Sequence, residues 1–89
     1  MPVVAKFCGI VIRMLCLGRF GTRLHAFHGD SEMVLDLATL RIISENVPET
    51  VKWMVLAWAK EHHRELMNGS WMRQPIPQPT ISGLLDQFA

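Results

Sequence analysis

Apolar residues fill most of the segment from residue 7 to residue 17, and their density predicts one largely buried strand. One face of this strand would hold Cys8, Ile10, Ile12, Met14 and Cys16. The other face carries a single charge, Arg13, and Gly9 marks a point where we expect a bulge or a close backbone approach. The first predicted element is therefore a strand inside the fold.

Three further strands are predicted after the polar, glycine-containing loop of residues 18–22. The second strand covers residues 23–28 and turns at Gly29 into a third strand over residues 32–37. A short turn leads to a fourth strand at residues 40–44. Apolar and polar residues alternate along the third strand, which indicates a sheet with one covered face.

From residue 48 the spacing of apolar residues changes to three and four, which predicts a helix ending near Met67. Pro48 and Glu49 suit the first helical turn, because proline fixes φ and the acid lies near the positive end of the dipole. The apolar stripe that should pack on the sheet consists of Val51, Met54, Val55, Trp58, His62 and Leu66. Neighbouring histidines on a helix diverge by about 100°. We therefore expect one of His62 and His63 to lean inward and the other to be solvated.

These elements predict an α+β domain, with a small antiparallel sheet of about four strands packed on one long helix. The domain would cover residues 1–74. Residues 75–89 begin with three alternating prolines, so we expect a Pro-rich extended tail.

Composition narrows the range of partners and compartments. A chain of 89 residues with 49% hydrophobic content forms one small core and leaves apolar surface exposed, so we expect a protein partner or a homo-oligomer. The net charge of +1 argues against a strongly electrostatic nucleic-acid binder, although local basic patches stay open. Because Arg13 interrupts the longest apolar run, we expect no membrane span and a cytoplasmic protein.

We do not expect the two cysteines and the histidines to form a metal site. On one strand, Cys8 and Cys16 would lie roughly 26 Å apart, too far for a disulfide, so we expect two reduced, buried thiols. His25 and His28 point to opposite faces of a strand and cannot chelate an ion together without a bulge. We expect no metal and no cofactor.

A basic cluster at the start of the second strand is the candidate site for chemistry. A strand places Arg23, His25 and Phe27 on one face, below the loop that carries Arg19. Arginine can bind a phosphate through two hydrogen bonds, histidine can act as acid or base, and an aromatic ring can stack on a base. The alternative is a solvated loop with Phe27 in the core or at a partner interface.

The tryptophans are candidates for partner binding. Trp58 belongs to the apolar stripe of the helix, whereas Trp53 lies elsewhere around the same helix. Aromatic anchors are enriched at interface hot spots. Trp53, Phe27 and Trp71 are therefore the predicted partner-binding residues, and a broad buried helix face remains the alternative for Trp53.

Several of these segments together form a family signature. They are the opening Met1-Pro2-Val3, the run Phe7-Cys8-Gly9-Ile10-Val11-Ile12-Arg13-Met14, the segment His25-Ala26-Phe27-His28-Gly29 and the helical segment from Trp58 to Leu66. In these segments the chain resembles a family of small bacterial and phage-borne proteins classed as a domain of unknown function. Relatives carry a longer motif ending in His-Phe-His-Ala before the second strand. Only His25 and Ala26 match its end here, because Arg23 stands where the first of those histidines would be.

The resemblance implies a functional setting. Members of that family are often encoded beside a second small domain in toxin–antitoxin-like gene pairs. The leading hypothesis is a protein–protein interaction module in a toxin–antitoxin-like or phage–host conflict system. The alternative is a small ribonuclease-like toxin or an RNA-binding protein, with His25 as the catalytic residue and Arg19 and Arg23 as phosphate or nucleic-acid ligands.

Overall fold

The computed structural model describes residues 3–73 and residue 76. Its five strands are β1 (Val3–Phe7), β2 (Ile10–Cys16), β3 (Thr22–His28), β4 (Ser31–Asp36) and β5 (Arg41–Asn46). They form one antiparallel sheet in the order β1-β2-β3-β4-β5. Two helices follow, α1 (Glu49–Glu61) and α2 (His63–Asn68), and 3-10 turns lie at Gly18–Phe20 and Ser70–Met72. The predicted α+β class is confirmed.

The sheet has one strand more than predicted, because residues 3–7 form the additional strand β1 and the predicted strand over residues 7–17 begins only at Ile10. Cys8 and Gly9 form a two-residue turn between Phe7 and Ile10, which are paired across the hairpin. Both turn residues have positive φ, 52° at Cys8 and 74° at Gly9, as a tight hairpin turn of this kind requires. Gly9, which was expected to mark a bulge or a close backbone approach, therefore lies in a chain reversal.

The predicted long helix is also wrong, because α1 has 13 residues and ends at Glu61. His62 leaves the helical conformation, with φ −103° and ψ 14°, and α2 begins at the next residue. The break coincides with a contact to the sheet, since the Nε2 atom of His63 lies 2.8 Å from the carbonyl oxygen of Leu37. His63 is half-buried and hydrogen-bonded, so neither neighbouring histidine is the solvated one expected.

One core lies between the sheet and the helices. The predicted stripe is confirmed, with Trp58 fully buried in contact with Phe7, at a distance of 5.8 Å between ring centroids. The buried core residues are Val4, Ala5, Phe7, Ile10, Ile12, Met14, Leu24, Ala26, Met33, Leu35, Leu37, Val51, Val55, Trp58, Ala59, Leu66 and Ile76. The single described residue beyond Arg73 thus belongs to the core. The rest of the predicted tail lies outside the described residues, and the division at residue 74 stays a prediction.

The two thiols are not where the sequence placed them. Cys8 lies in the first turn and Cys16 at the end of β2, and both are exposed, so the prediction of buried cysteines is wrong. Both are free, as expected. Among residues 3–73, none of the helices combines the length and the apolar content that a membrane span requires.

Candidate functional site

The helices cover one side of the sheet, and the described residues place no helix on the other side, which we call the open face. Strand alternation assigns residues to it, because Leu24 and Ala26 are buried in the core and their neighbours on β3 point the other way. The open face includes Lys6, Val11, Arg13, Leu15, Arg23, His25, Phe27, Glu32, Val34, Asp36 and Arg41. The predicted grouping of Arg23, His25 and Phe27 on one face therefore exists.

His25 is held by two neighbours on this face. Its Nδ1 atom lies 3.1 Å from Oε2 of Glu32 on β4, and its ring lies nearly parallel to that of Phe27, at 16° and 6.3 Å between centroids. A proton on Nδ1 can be donated to the carboxylate, which leaves Nε2 as the hydrogen-bond acceptor. However, Nε2 is buried and has no hydrogen-bond partner. The imidazole is thus oriented, while the nitrogen needed for chemistry is closed off from solvent.

The two arginines of the predicted cluster lie in different settings. Arg23 stands opposite Asp36 in the strand register, and its Nε atom is buried without a hydrogen-bond partner. An oxygen of Asp36 instead accepts hydrogen bonds from the backbone N–H groups of Ala38 and Thr39, at 3.0 and 3.3 Å. Arg19 lies in the turn between β2 and β3, so no strand register aligns it with His25.

The three predicted partner-binding residues lie at three separate places. Phe27 is half-buried on the open face, Trp71 is half-buried in the last 3-10 turn, and Trp53 is 50% exposed on α1. Trp71 lines a cavity of about 320 Å³ together with Met14, Leu66 and other residues of α2 and the following turn. Their separation could not be predicted from the sequence, because it depends on the packing of α1 and on the end of α2, and their role in partner binding stays a prediction.

Trp53 is connected to the last strand through a lysine. Lys52 Nζ lies 4.9 Å from the Trp53 ring centroid and 3.1 Å from Oε1 of Glu45 on β5. A second carboxylate, Glu49, lies 3.7 Å from the same Nζ. We call Trp53, Lys52 and Glu45, together with the exposed Ile43 of the same strand as Glu45, the Trp53 edge. Sequence reasoning missed its other members, because their proximity depends on how α1 docks beside β5.

Strand β5 forms the exposed border of the Trp53 edge. Five of its six residues are exposed, and the described part of the chain places no further strand beside it. Ile43 is 46% exposed at a point where the register with β4 shifts. An exposed edge strand offers unpaired backbone groups, and a bulge restricts how long a partner strand can pair with it. Ile43 is therefore an exposed apolar side chain on a strand edge that the described residues leave unpaired.

The potential metal ligands of the described residues do not cluster. Within the described residues, no three or more His, Cys, Asp or Glu side chains come close enough together to hold an ion. His25 and His28 lie on opposite faces of β3, and Cys8 lies in the turn before β2 while Cys16 ends that strand.

Comparison with known proteins places these features in a family. A family model described as a domain of unknown function, DUF4160, matches residues 9–71. The chain belongs to this family. The DUF4160 match includes β2 through β5, both helices, and the candidate residues Arg23, His25 and Trp53. No curated protein and no solved structure matches the chain.

Proposed function

We propose that this DUF4160 protein is a protein-binding module and that the Trp53 edge is its docking surface. The observation that carries the proposal is the half-exposed Trp53 ring beside an open edge strand. Leaving so large an apolar ring in water is unfavourable, and tryptophan is one of the residue types enriched at interface hot spots. The occupant we propose is a separate protein that covers Trp53 and Ile43.

The charges around Trp53 support this use. The Lys52 side chain is 15% exposed and is held between Glu45 and Glu49, so its position over the ring is fixed before a partner arrives. A preorganised side chain loses less conformational entropy on binding. The two carboxylates and the ammonium group would form a polar rim around the apolar anchor, as in many protein interfaces.

The biological setting of this proposal rests on the family resemblance. We propose that the partner is encoded in the same toxin–antitoxin-like or phage–host conflict system and that the two proteins meet in the cytoplasm of a bacterium. A homo-oligomer is the alternative occupant of the same surface. The mass of the native complex distinguishes the two.

The test begins with affinity purification from the native cell and continues with the purified binary complex. The partner is identified by mass spectrometry, and its Kd is measured by calorimetry. Truncating an interface anchor costs about 2 kcal/mol or more, so Trp53→Ala should weaken binding by roughly 30-fold or more. Met67→Ala is the matched control, because Met67 is 51% exposed on α2, away from β5.

Three results would contradict the proposal. They are a monomeric protein without a co-purified protein, a complex that contains only copies of this chain, and equal losses of affinity in the Trp53 and Met67 variants. Circular dichroism of each variant separates a lost contact from a lost fold.

A second candidate function is a ribonuclease-like toxin that uses His25 with Arg19 and Arg23. The hydrogen bond from His25 to Glu32 supports it, because catalytic histidines are commonly oriented by a carboxylate. The burial of Nε2 counts against it, since an acid or base must come within hydrogen-bond reach of the substrate. Unchanged RNA cleavage or toxicity after His25→Ala would eliminate this candidate.

A further inference from the structure

The open face carries the net positive charge of the described chain. Four cations, Lys6, Arg13, Arg23 and Arg41, share it with two carboxylates, Glu32 and Asp36. The other described residues include five Lys or Arg and five Asp or Glu. Although the net charge of the whole sequence is only +1, one side of the sheet is therefore a basic surface.

The two carboxylates of the open face are already engaged by groups of the protein. Glu32 lies 3.1 Å from His25, and Asp36 accepts hydrogen bonds from the backbone of the following turn. Among the described residues, Lys6, Arg23 and Arg41 form no ion pair within 4.0 Å. These cations consequently retain the capacity to bind an anion from outside.

The cations are distributed over the sheet rather than clustered at one point. They lie on β1, β2, β3 and β5, and adjacent strands are about 4.8 Å apart, so they span roughly 19 Å across the sheet. A single inorganic phosphate can contact only one or two of them. The spacing fits a chain of several negative charges.

Aromatic and apolar side chains occupy the middle of this surface. Phe27 and His25 lie nearly parallel on β3, and a shallow cavity of about 290 Å³ is lined by Val11, Arg13 and Phe27. A flat ring beside guanidinium groups is the arrangement on which unpaired bases stack. An acidic protein would need the cations but not the flat rings.

We propose that the open face binds single-stranded nucleic acid, with a base stacked on Phe27 and phosphates bound by Lys6, Arg23 and Arg41. The proposal concerns the side of the sheet opposite α1 and is independent of the Trp53 edge. It requires no cleavage, and it therefore agrees with the buried Nε2 of His25. RNA and single-stranded DNA share the chemistry recognised.

Fluorescence anisotropy with the full chain tests the proposal. The probes are a labelled 12-nucleotide uridine RNA, the matching thymidine DNA and a 12-base-pair duplex, each at several salt concentrations. Three phosphate contacts predict that log K falls with log[salt] at a slope of about −2 for single strands. We expect binding to either single strand, or to both, in preference to the duplex, and the stronger of the two identifies the sugar that is preferred.

Matched variants locate the site. Phe27→Leu retains an apolar side chain but removes the stacking ring, and it should weaken binding roughly tenfold. Arg23→Gln should reduce the magnitude of the salt slope by about 0.7. Lys60→Gln, which removes an exposed cation from α1, should leave affinity and slope unchanged.

The proposal is overturned by any of four results. These are no binding at 50 mM salt, duplex binding as tight as single-strand binding, equal effects of Arg23→Gln and Lys60→Gln, and displacement of RNA by polyglutamate at an equal concentration of charge. The last result would identify the open face as a surface for acidic proteins. Circular dichroism confirms that the Phe27 variant is folded before its affinity is interpreted.

Discussion

At the scale of a single residue, Cys16 shows how a turn sets the chemistry of a side chain. It ends β2 just before the 3-10 turn Gly18–Phe20, and it is exposed. A hydrogen bond from the backbone of Gly18, and then one from the side chain of Thr22, lower the pKa of the Cys16 thiol, against a smaller opposing effect of burial. A lower pKa means a larger thiolate fraction near neutral pH, and the thiolate is the reactive form.

The contribution of Thr22 can be measured by alkylation. Thr22→Val removes the side-chain hydrogen bond, so the pKa of Cys16 should rise and its thiolate fraction near pH 7.5 should fall. We expect iodoacetamide to modify Cys16 several-fold more slowly in this variant. Peptide mass spectrometry follows Cys8 in the same sample as an internal control. An unchanged rate at Cys16, or an equal slowing at Cys8, would show that the hydroxyl does not stabilise the thiolate.

At the scale of elements, the turn between β1 and β2 decides how many strands the sheet has. Its φ angles of 52° at Cys8 and 74° at Gly9 are accessible to glycine but strained for most other residues. A Cβ atom added at Gly9 would meet only the His28 ring, at 3.8 Å, which is an ordinary contact. The requirement for glycine at this position is therefore conformational rather than steric.

The turn makes a quantitative prediction about stability. Gly9→Ala should lower the free energy of unfolding by about 1 kcal/mol, because alanine pays the penalty of positive φ. Cys8→Asn should leave the stability unchanged or raise it slightly, because asparagine adopts this conformation more readily than cysteine. Urea unfolding followed by circular dichroism measures both changes. A neutral Gly9→Ala variant would mean that the turn relaxes into another conformation.

The elements that the sequence predicted are those whose signals are local. Alternation along β3 was enough to place Arg23, His25 and Phe27 on one face, and the spacing of apolar residues identified the buried stripe of α1. The first turn was missed because Cys8 is apolar and resembles a strand residue. The break at His62 could not be read locally, since it accompanies the bond between His63 and Leu37, 26 residues away.

The same distinction between local and distant signals applies to the candidate site. The contact between His25 and Glu32 depends on the register of two strands, which follows from the turn that connects them. Trp53 was predicted to lie outside the apolar stripe, and it is half exposed. Its link through Lys52 to Glu45 needed the docking of α1 against the sheet. Residue type and face were therefore predictable, and contacts between elements were not.

At the scale of the whole molecule, one core joins segments from both ends of the described chain. Val4 and Phe7 of the first strand are buried together with Trp58 of α1 and with Ile76, which lies beyond the last 3-10 turn. The sheet is a meander in which each strand pairs with its neighbours in sequence. Since the described residues share one core, we expect them to unfold as one unit.

A substitution at Ile76 tests whether the protein unfolds as one cooperative unit. It is 6% exposed, so Ile76→Ala should remove a core contact and lower the free energy of unfolding by about 2 to 4 kcal/mol. Ile43→Ala is the matched control, because Ile43 is 46% exposed and its truncation should cost less than about 1 kcal/mol. Tryptophan fluorescence reports on the core through Trp58, and far-ultraviolet circular dichroism reports on the helices and strands. In both variants, the two signals should give the same urea midpoint. Equal losses of unfolding free energy in the two variants would place residue 76 outside the core. Different urea midpoints by fluorescence and by circular dichroism would show that the segments joined at Ile76 unfold independently.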